Sequence, residues 1–206
     1  MENEQSDEGE RDQRWPSDLE GRPTPEATKE SNPSIYVASL SDYNQGLLHG
    51  AWIEADAEID DIHVAIQEML SCSPSGQSEE YAIFDFDGFG PWRVDEYESI
   101  AMVSAVAKGI ATHGNAFAHW VEILSATEPD ELAGFEDAYF GHWTSILEYT
   151  QEFVEGIGLS TEGLVPESFS YYLRFDYEGF ARDMEMYGDI STSEGDGGVY
   201  VFEGPR

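Results

Sequence analysis

The sequence has little positive charge. Its 206 residues include 9 Lys and Arg against 43 Asp and Glu, which gives a formal net charge of −34. Contacts with the phosphates of nucleic acids, and attraction to an anionic membrane surface, depend on Lys and Arg side chains. The composition therefore excludes binding of either kind, and we expect neither nucleic acid nor a membrane among the partners of this chain.

Cysteine and long apolar runs are also scarce. Cys72 is the single cysteine, which excludes an intramolecular disulfide and a zinc site built on cysteines. No apolar run approaches the ~20 residues of a membrane-spanning helix. Residues 1–10 are acidic and polar, unlike a secretory signal peptide. These features are typical of a reducing compartment, and the predicted location is the cytoplasm.

The sequence lacks the common motifs of catalysis and cofactor binding. It contains no phosphate-binding GxxxxGK[ST] loop, no GxGxxG after a strand, no GxSxG and no HExxH. His113 and His119 are six positions apart and so do not share a helical face, and Cys72 has no neighbouring base. We therefore predict no catalytic residue, no metal ligand and no cofactor, and we expect the protein not to be an enzyme.

One segment partly resembles a calcium-binding loop. The first positions of such a loop are matched by Asp85, Asp87 and Gly88, and the twelfth position is matched by Glu96. A Gly-Pro pair interrupts the segment. The segment leaves open a rival hypothesis from another class of function. In that hypothesis the protein is a small hydrolase or a cation-binding enzyme that uses Asp85, Asp87 and Glu96.

Enough apolar material is present for a folded core. Hydrophobic residues make up 40% of the chain and aromatic residues 13%. Residues 1–34 are poor in apolar side chains and contain four prolines, which predicts a disordered acidic tail. Residues 35–206 hold 33 acidic and 5 basic residues, a net charge of −28, so the negative charge belongs to the folded body.

The body begins with an alternation of strands and a helix. The apolar, β-rich composition typical of strands occurs three times, at residues 35–40, 51–55 and 81–86. The connection between the first two strands, residues 41–50, is polar. Apolar positions at helical spacing precede the third strand; they are Ile62, Ala65, Ile66, Met69 and Leu70. This order predicts an N-terminal domain over residues 35–94, with a small antiparallel sheet and a helix across it.

The middle of the chain has helical spacing. Apolar residues at helical spacing predict two helices, one from Ile100 to Ile110 and one from Phe117 to Leu124. Thr127-Glu128-Pro129-Asp130 has the composition of a helix start, and a third helix is predicted to continue through Phe135 and Tyr139. These segments form a predicted helical middle domain, residues 95–142.

The last part returns to mixed structure and is predicted as a C-terminal domain, residues 143–206. A helix extends from Ile146 to Ile157, and Ser168–Phe175 is compatible with either a strand or a helix. Asp176 caps a second helix that Gly188 ends. Two strands follow, around Ile190 and over residues 198–203, joined by a loop at residues 194–197. The fold class is α+β.

The acidic residues are concentrated on the polar faces of the predicted helices. Glu148, Glu152 and Glu155 share one helical face, where like charges normally destabilise a helix. Two interpretations stay open from charge alone: a solvated surface that serves solubility or salt tolerance, and an imitation of nucleic acid. B-DNA carries one charge per ~1.7 Å of axis, so 28 charges at that density span ~48 Å.

The nucleic-acid interpretation predicts a partner-binding acidic surface on which carboxylates stand in for phosphates. Its candidate residues are Glu58, Asp60, Asp61, Glu68, Asp95, Glu96, Glu98, Glu122, Glu128, Asp130, Glu131, Glu136, Asp137, Glu148, Glu152, Glu155, Glu178, Asp183 and Glu185.

Several dispersed blocks of the sequence resemble the ArdA family of antirestriction proteins. They occur in the family's order and cover nearly all of residues 35–202. The blocks are Ile35–Asn44, His49–Ile53, Ala65–Leu70, Glu80–Phe89, Glu96–Ser99, Phe135–Gly141, Phe175–Asp183 and Gly197–Phe202. Such an ordered set of blocks is far more specific than any single motif above, and residues 1–34 lie outside it.

The resemblance implies a fold and a function. The family consists of elongated three-domain α+β proteins, usually carried by mobile genetic elements, that dimerise into a curved rod like DNA. A member occupies the DNA-binding groove of a type I restriction–modification enzyme, in its methyltransferase core, and inhibits restriction and modification. The rival binding function is an acidic protein or chaperone for basic DNA-binding proteins.

The resemblance also singles out a segment from Leu132 to Trp143, which is similar to the family's antirestriction segment. We expect it to include a dimer contact; its candidate residues are Leu132, Phe135, Ala138, Tyr139, Gly141 and Trp143. Six aromatic residues are predicted to hold the core or the dimer contact. They are Trp52, Phe84, Phe117, Trp120, Phe135 and Tyr139.

Overall fold

The structure is a computed structural model that describes residues 32–76, 78–159 and 174–204. The predicted tail, up to residue 31, and residues 168–173 of the undecided segment lie outside the described residues. The described elements are β1 (Ser34–Ser39), α1 (Leu40–Asn44), β2 (Gly50–Glu54), α2 (Ile59–Ser71), β3 (Tyr81–Asp87), α3 (Ile100–His113), α4 (Asn115–Leu124), a 3-10 helix (Pro129–Leu132), α5 (Phe135–Ala138), β4 (Tyr139–Trp143), α6 (Ile146–Gly156), α7 (Tyr177–Tyr187), β5 (Ile190–Gly195) and β6 (Gly198–Glu203).

The first three strands form the predicted antiparallel sheet, with β1 between β2 and β3. Helix α2 buries Ile62 and Ile66 in the core that it shares with the sheet. The connection predicted as polar contains the short helix α1, because the Ser39 side chain caps it by accepting a hydrogen bond from the Asp42 backbone N–H. Two of the residues assigned to the tail, Pro33 and Ser34, belong to the sheet region, since the Pro33 carbonyl accepts from the Ala55 N–H.

Helices α3 and α4 confirm the two helical stripes of the middle part. Ser99 caps α3 through the Met102 N–H, and Gly114 separates the two helices with φ +69°. The third helix begins near the predicted start, as a 3-10 helix with Pro129 in its first turn, but its predicted continuation through Phe135 and Tyr139 is wrong. A 3-10 helix ends at Leu132, Gly134 has φ +99°, α5 is a single turn, and the chain then enters strand β4 at Tyr139. A left-handed residue such as Gly134 cannot continue a right-handed helix.

The second sheet has the strand order β4–β6–β5 and is antiparallel throughout. Asp176 and Gly188 begin and end α7 as predicted. The hairpin loop is shorter than predicted, because Glu194 and Gly195 belong to β5. Asp196 and Gly197 alone make the turn, with φ +49° and +77°, as a type I′ turn requires.

One continuous core joins the first sheet, the middle helices and one face of the second sheet through Tyr200 and Phe202 of β6. The other face of β6 carries Val199 and Val201, which pack with α6 and α7. The fold is therefore α+β, as predicted. The three-domain division stays a prediction; its boundary at residues 142/143 falls inside β4.

Candidate acidic partner-binding surface

The structure exposes almost the whole predicted acidic surface. Of the nineteen candidate carboxylates all are exposed except Glu98, which is half-buried. The described residues include 31 acidic side chains and four basic ones, which are Arg93, Lys108, Arg174 and Arg182. The acidic side chains therefore dominate the electrostatics of the described surface.

The start of α2 carries three of the candidates. Asp60 and Asp61 lie in the first turn, next to the capping residue Glu58, where the N-terminal end of the helix dipole favours negative charge. Lys108 of α3 lies 2.9 Å from the Glu58 carboxylate. Both side chains are substantially exposed, so this ion pair offsets one charge of the surface and contributes little to stability.

Two other candidates are held in place by hydrogen bonds to the chain. The Glu131 carboxylate accepts from the backbone N–H groups of Thr127 and Glu128, which lowers its pKa. The Glu148 carboxylate accepts from the hydroxyl and the backbone N–H of Thr144, with the same effect on its pKa. These hydrogen bonds cap the adjoining helical segments and also favour the ionised form of both residues.

Helices α6 and α7 carry the acidic rows of the C-terminal part. Glu148, Glu152 and Glu155 are exposed along α6, while Tyr149 and Phe153 of the same helix are buried. The rings of Phe153 and Phe180 (α7) lie 6.3 Å apart and join the two helices. The apolar contact therefore turns the acidic faces of both helices outward; on α7 they carry Glu178, Asp183 and Glu185.

The predicted antirestriction-like segment forms an internal junction. Leu132, Phe135, Tyr139 and Gly141 are buried, whereas Ala138 and Trp143 are half-buried. The Phe135 ring centroid lies 5.2 Å from that of Phe117, 5.5 Å from that of Trp120 and 5.2 Å from that of Tyr139. The segment thus connects the middle helices to the second sheet within one chain. Its part in a contact between two chains stays a prediction.

The family of the chain follows from a comparison with known families. Residues 35–198 match the model of the family described as antirestriction protein (ArdA). The chain belongs to the ArdA family of antirestriction proteins. The resemblance carried by the dispersed sequence blocks is thereby confirmed. A comparison with curated proteins finds no match.

Four of the six aromatic residues predicted to hold the core or the dimer contact lie in the core of this ArdA chain, and for the other two the dimer contact stays a prediction. Phe117, Trp120, Phe135 and Tyr139 are buried in the core, but Trp52 is 52% exposed and Phe84 36% exposed. Strand residues alternate between the two faces of a sheet, so Ile53 enters the core and Trp52 cannot. The alternation within Ala51–Glu54 was the signal in the sequence for this outcome.

The structure does not favour the rival site at Asp85, Asp87 and Glu96. Asp85 is exposed and accepts a hydrogen bond from the adjacent Phe86 N–H. Glu96 contacts β3 through its main chain, since its carbonyl accepts from the Ile83 N–H. Within residues 32–76, 78–159 and 174–204, no three His, Cys, Asp or Glu side chains are grouped so that they could hold a metal ion. In the same residues no helix has both the length and the apolar composition needed to cross a membrane.

Two buried polar groups were not predicted from the sequence. Asp42 is fully buried and accepts from the Ser73 hydroxyl and the Ser75 N–H. His119 is buried, its Nδ1 lies 2.7 Å from the Ser193 hydroxyl, and its ring centroid lies 4.5 Å from that of Tyr200. The Asp42 carboxylate bonds to residues 31 and 33 positions away, and the His119 ring bonds to a residue 74 positions away, so no local pattern could reveal these contacts.

Proposed function

We propose that this ArdA protein inhibits type I restriction–modification enzymes by occupying the DNA-binding groove of their methyltransferase core. The main observation that supports the proposal is the exposure of eighteen of the nineteen candidate carboxylates in a described surface with four basic residues. A groove that binds DNA presents Lys and Arg side chains to phosphates. The carboxylates of this chain offer those side chains an alternative set of negative charges.

The spacing of the charges supports the same proposal. Along α6, Glu148, Glu152 and Glu155 are separated by four and three residues. With a helical rise of ~1.5 Å per residue, this row has one charge per ~5 Å of its axis. One strand of B-DNA has a charge per ~3.4 Å, so the charge density of α6 is of the same order.

Inhibition of this kind makes and breaks no bond. The protein competes with DNA because both release ions from the same positively charged groove, and binding weakens as salt rises. The active form is a homodimer, because a second copy doubles the length of the acidic surface without any new sequence. The place of action is the cytoplasm, where the restriction enzyme meets incoming DNA.

The direct test is methylation of DNA by a purified type I methyltransferase. At a DNA concentration that does not saturate the enzyme, we expect methylation to stop when the homodimer reaches the concentration of the enzyme, because one dimer fills one groove. Methylation that continues at a large excess of the protein contradicts the proposal. If the protein binds a histone-like protein and leaves methylation unchanged, the result would instead support the rival function, an acidic chaperone for basic DNA-binding proteins.

A further inference from the structure

The first sheet has one face on which the side chains of Trp52 and Asp85 are exposed. Its inner face carries Ile35, Val37 and Ile53, which are buried with α2. Residues that are paired across antiparallel strands lie on the same face. The pairing of Tyr36 with Trp52 and with Asp85 therefore places these three side chains in one row across the outer face.

A second row follows beside the first. Ser34 pairs with Glu54 on β2 and with Asp87 on β3, so this row ends in a carboxylate at each edge. A depression of about 350 Å³ between the rows is lined by Ser34, Trp52, Asp85, Phe86 and Asp87. We name this surface, with Tyr36, Trp52, Glu54 and Asp85 as its defining residues, the Trp52 face.

The aromatic pair of the Trp52 face is fixed by its neighbours. The ring centroids of Tyr36 and Trp52 lie 5.6 Å apart. A Cβ at Gly50 would come within 2.8 Å of the Tyr36 ring, so this ring lies directly over the glycine backbone. Trp52 nevertheless remains 52% exposed. The face thus presents a positioned aromatic surface beside carboxylates.

We propose that the Trp52 face binds an arginine side chain of the protein partner. A guanidinium group is planar, stacks on an indole or phenol ring, and donates paired hydrogen bonds to a carboxylate. Trp52 and Tyr36 provide the rings, and Asp85 provides a carboxylate in the same row. This inference rests on the proposed function, since a DNA-binding groove is the partner expected to present arginine.

Charge complementarity selects a cationic partner over a second copy of this chain. The three strands contain no Lys or Arg, while Glu54 and Asp85 lie exposed on or beside the face. In a two-fold symmetric contact the same patch meets itself, so carboxylates would face carboxylates. An arginine-bearing segment meets no such repulsion.

The test is a titration of the full chain with blocked hexa-arginine and hexa-lysine peptides at one ionic strength. Both peptides carry the same charge, so general attraction to an acidic protein affects them equally. We expect hexa-arginine to bind about three- to tenfold more tightly than hexa-lysine, because ammonium groups stack less well and bind no carboxylate bidentately. Equal affinities would overturn the inference.

Substitutions test whether the preference for hexa-arginine over hexa-lysine depends on the Trp52 face. Trp52→Ala and Asp85→Asn should each lower the ratio of the two affinities below its wild-type value, while carboxylates elsewhere on the surface keep a smaller preference for hexa-arginine. Tyr187→Ala removes an aromatic side chain that is 76% exposed on α7, and Asp189→Asn removes an exposed charge just after α7, outside the candidate acidic surface; both should leave the ratio unchanged. An unchanged ratio in Trp52→Ala would overturn the inference, and so would the loss of a dimer in that variant by light scattering.

A parallel methylation assay separates this inference from the proposed function. If the wild-type chain inhibits the methyltransferase and Trp52→Ala inhibits it with the same potency, the Trp52 face is not used and only the inference fails. If the wild-type chain does not inhibit, the proposed function fails whatever the peptides show. If Trp52→Ala inhibits about three- to tenfold less potently than the wild type and Tyr187→Ala does not, the result supports both the proposed function and this inference.

Discussion

At the scale of single residues, Asp42 shows how a carboxylate can serve the fold of a very acidic protein. Burial by itself would raise the pKa of this side chain. Hydrogen bonds from Ser73, Ser39 and Ser75 outweigh burial and lower the pKa to about 2. Asp42 therefore stays ionised in the folded state and ties α1 to the chain that follows α2.

The first prediction concerns acid stability. A carboxylate whose pKa is lower in the folded than in the unfolded state stabilises the fold above the unfolded pKa, ~3.9 for Asp. Its contribution is lost as pH falls from about 4 towards 2. Asp42→Asn should lower the urea midpoint at pH 7 and lose less stability between pH 5 and pH 2 than the wild type.

Asp183→Asn, at an exposed site on α7, is the matched control for that measurement. It should retain the urea midpoint at pH 7. Parallel curves for the wild type and Asp42→Asn over the acid range would contradict the role of Asp42. The sequence indicated only a polar connection at this position, because Ser73 and Ser75 approach Asp42 from 31 and 33 residues away.

At the scale of secondary-structure elements, the contact between α3 and α4 depends on a glycine. A Cβ at Gly109 would lie 2.1 Å from Cε1 of the buried Phe117 ring, closer than any real contact. The absence of a side chain at Gly109 therefore allows the Phe117 ring to pack against α3. This close approach outweighs the cost of glycine inside a helix.

The second prediction follows from this contact. Gly109→Ala should reduce the free energy of unfolding by about 1–3 kcal/mol, the usual cost of overpacking a core. Replacement of a glycine by alanine at an exposed helical position should instead leave the free energy of unfolding unchanged or increase it. Gly156→Ala, at the exposed end of α6, is the control, and urea denaturation compares the two. A stabilised Gly109→Ala variant would show that the two helices do not pack as described.

The third prediction concerns the junction of α4 with the second sheet. Burial lowers the pKa of His119, Asp196 opposes this shift and His142 adds to it. A histidine whose folded pKa lies below its unfolded pKa, ~6.5, destabilises the fold as pH falls below that value. The free energy of unfolding should therefore decrease between pH 7.5 and pH 5.5, and His119→Gln should reduce this decrease. An identical pH dependence in the variant would contradict the assignment.

Elements formed by local patterns were predictable, and those formed by distant pairing were not. Ile62 and Ile66 fix α2 by their spacing, and Asp176 with Gly188 fixes the ends of α7. Phe135 and Tyr139 also have helical spacing, yet Tyr139 lies in β4, because β4 gains its hydrogen bonds from β6, about sixty residues later. No local pattern around Tyr139 contains that information.

At the scale of the whole molecule, the sequence established the excess of negative charge and the family, but not the arrangement of the charges. The ordered blocks from Ile35 to Phe202 led to the ArdA assignment, which the family match confirms. The placement of Trp52 beside Asp85 depends on strand register, since the two residues belong to β2 and β3. Partner-binding surfaces of this kind become visible only after folding.

The fourth prediction concerns graded loss of charge. A variant with Glu152→Gln, Glu155→Gln and Asp183→Asn should inhibit methylation more weakly, and its potency should depend less steeply on salt. Each single variant should have a small effect, because the binding energy is spread over many charges. The slope of potency against salt concentration checks this, and abolition of inhibition by any one of the three changes would contradict it.

The most direct measurement of the central claim is the inhibition of a type I methyltransferase at increasing DNA concentrations. If the protein occupies the DNA-binding groove, the concentration needed for half inhibition must rise in proportion to the DNA present, and bound DNA must leave as the protein binds. A half-inhibitory concentration that does not change with DNA, or a ternary complex of enzyme, DNA and inhibitor, would contradict the account.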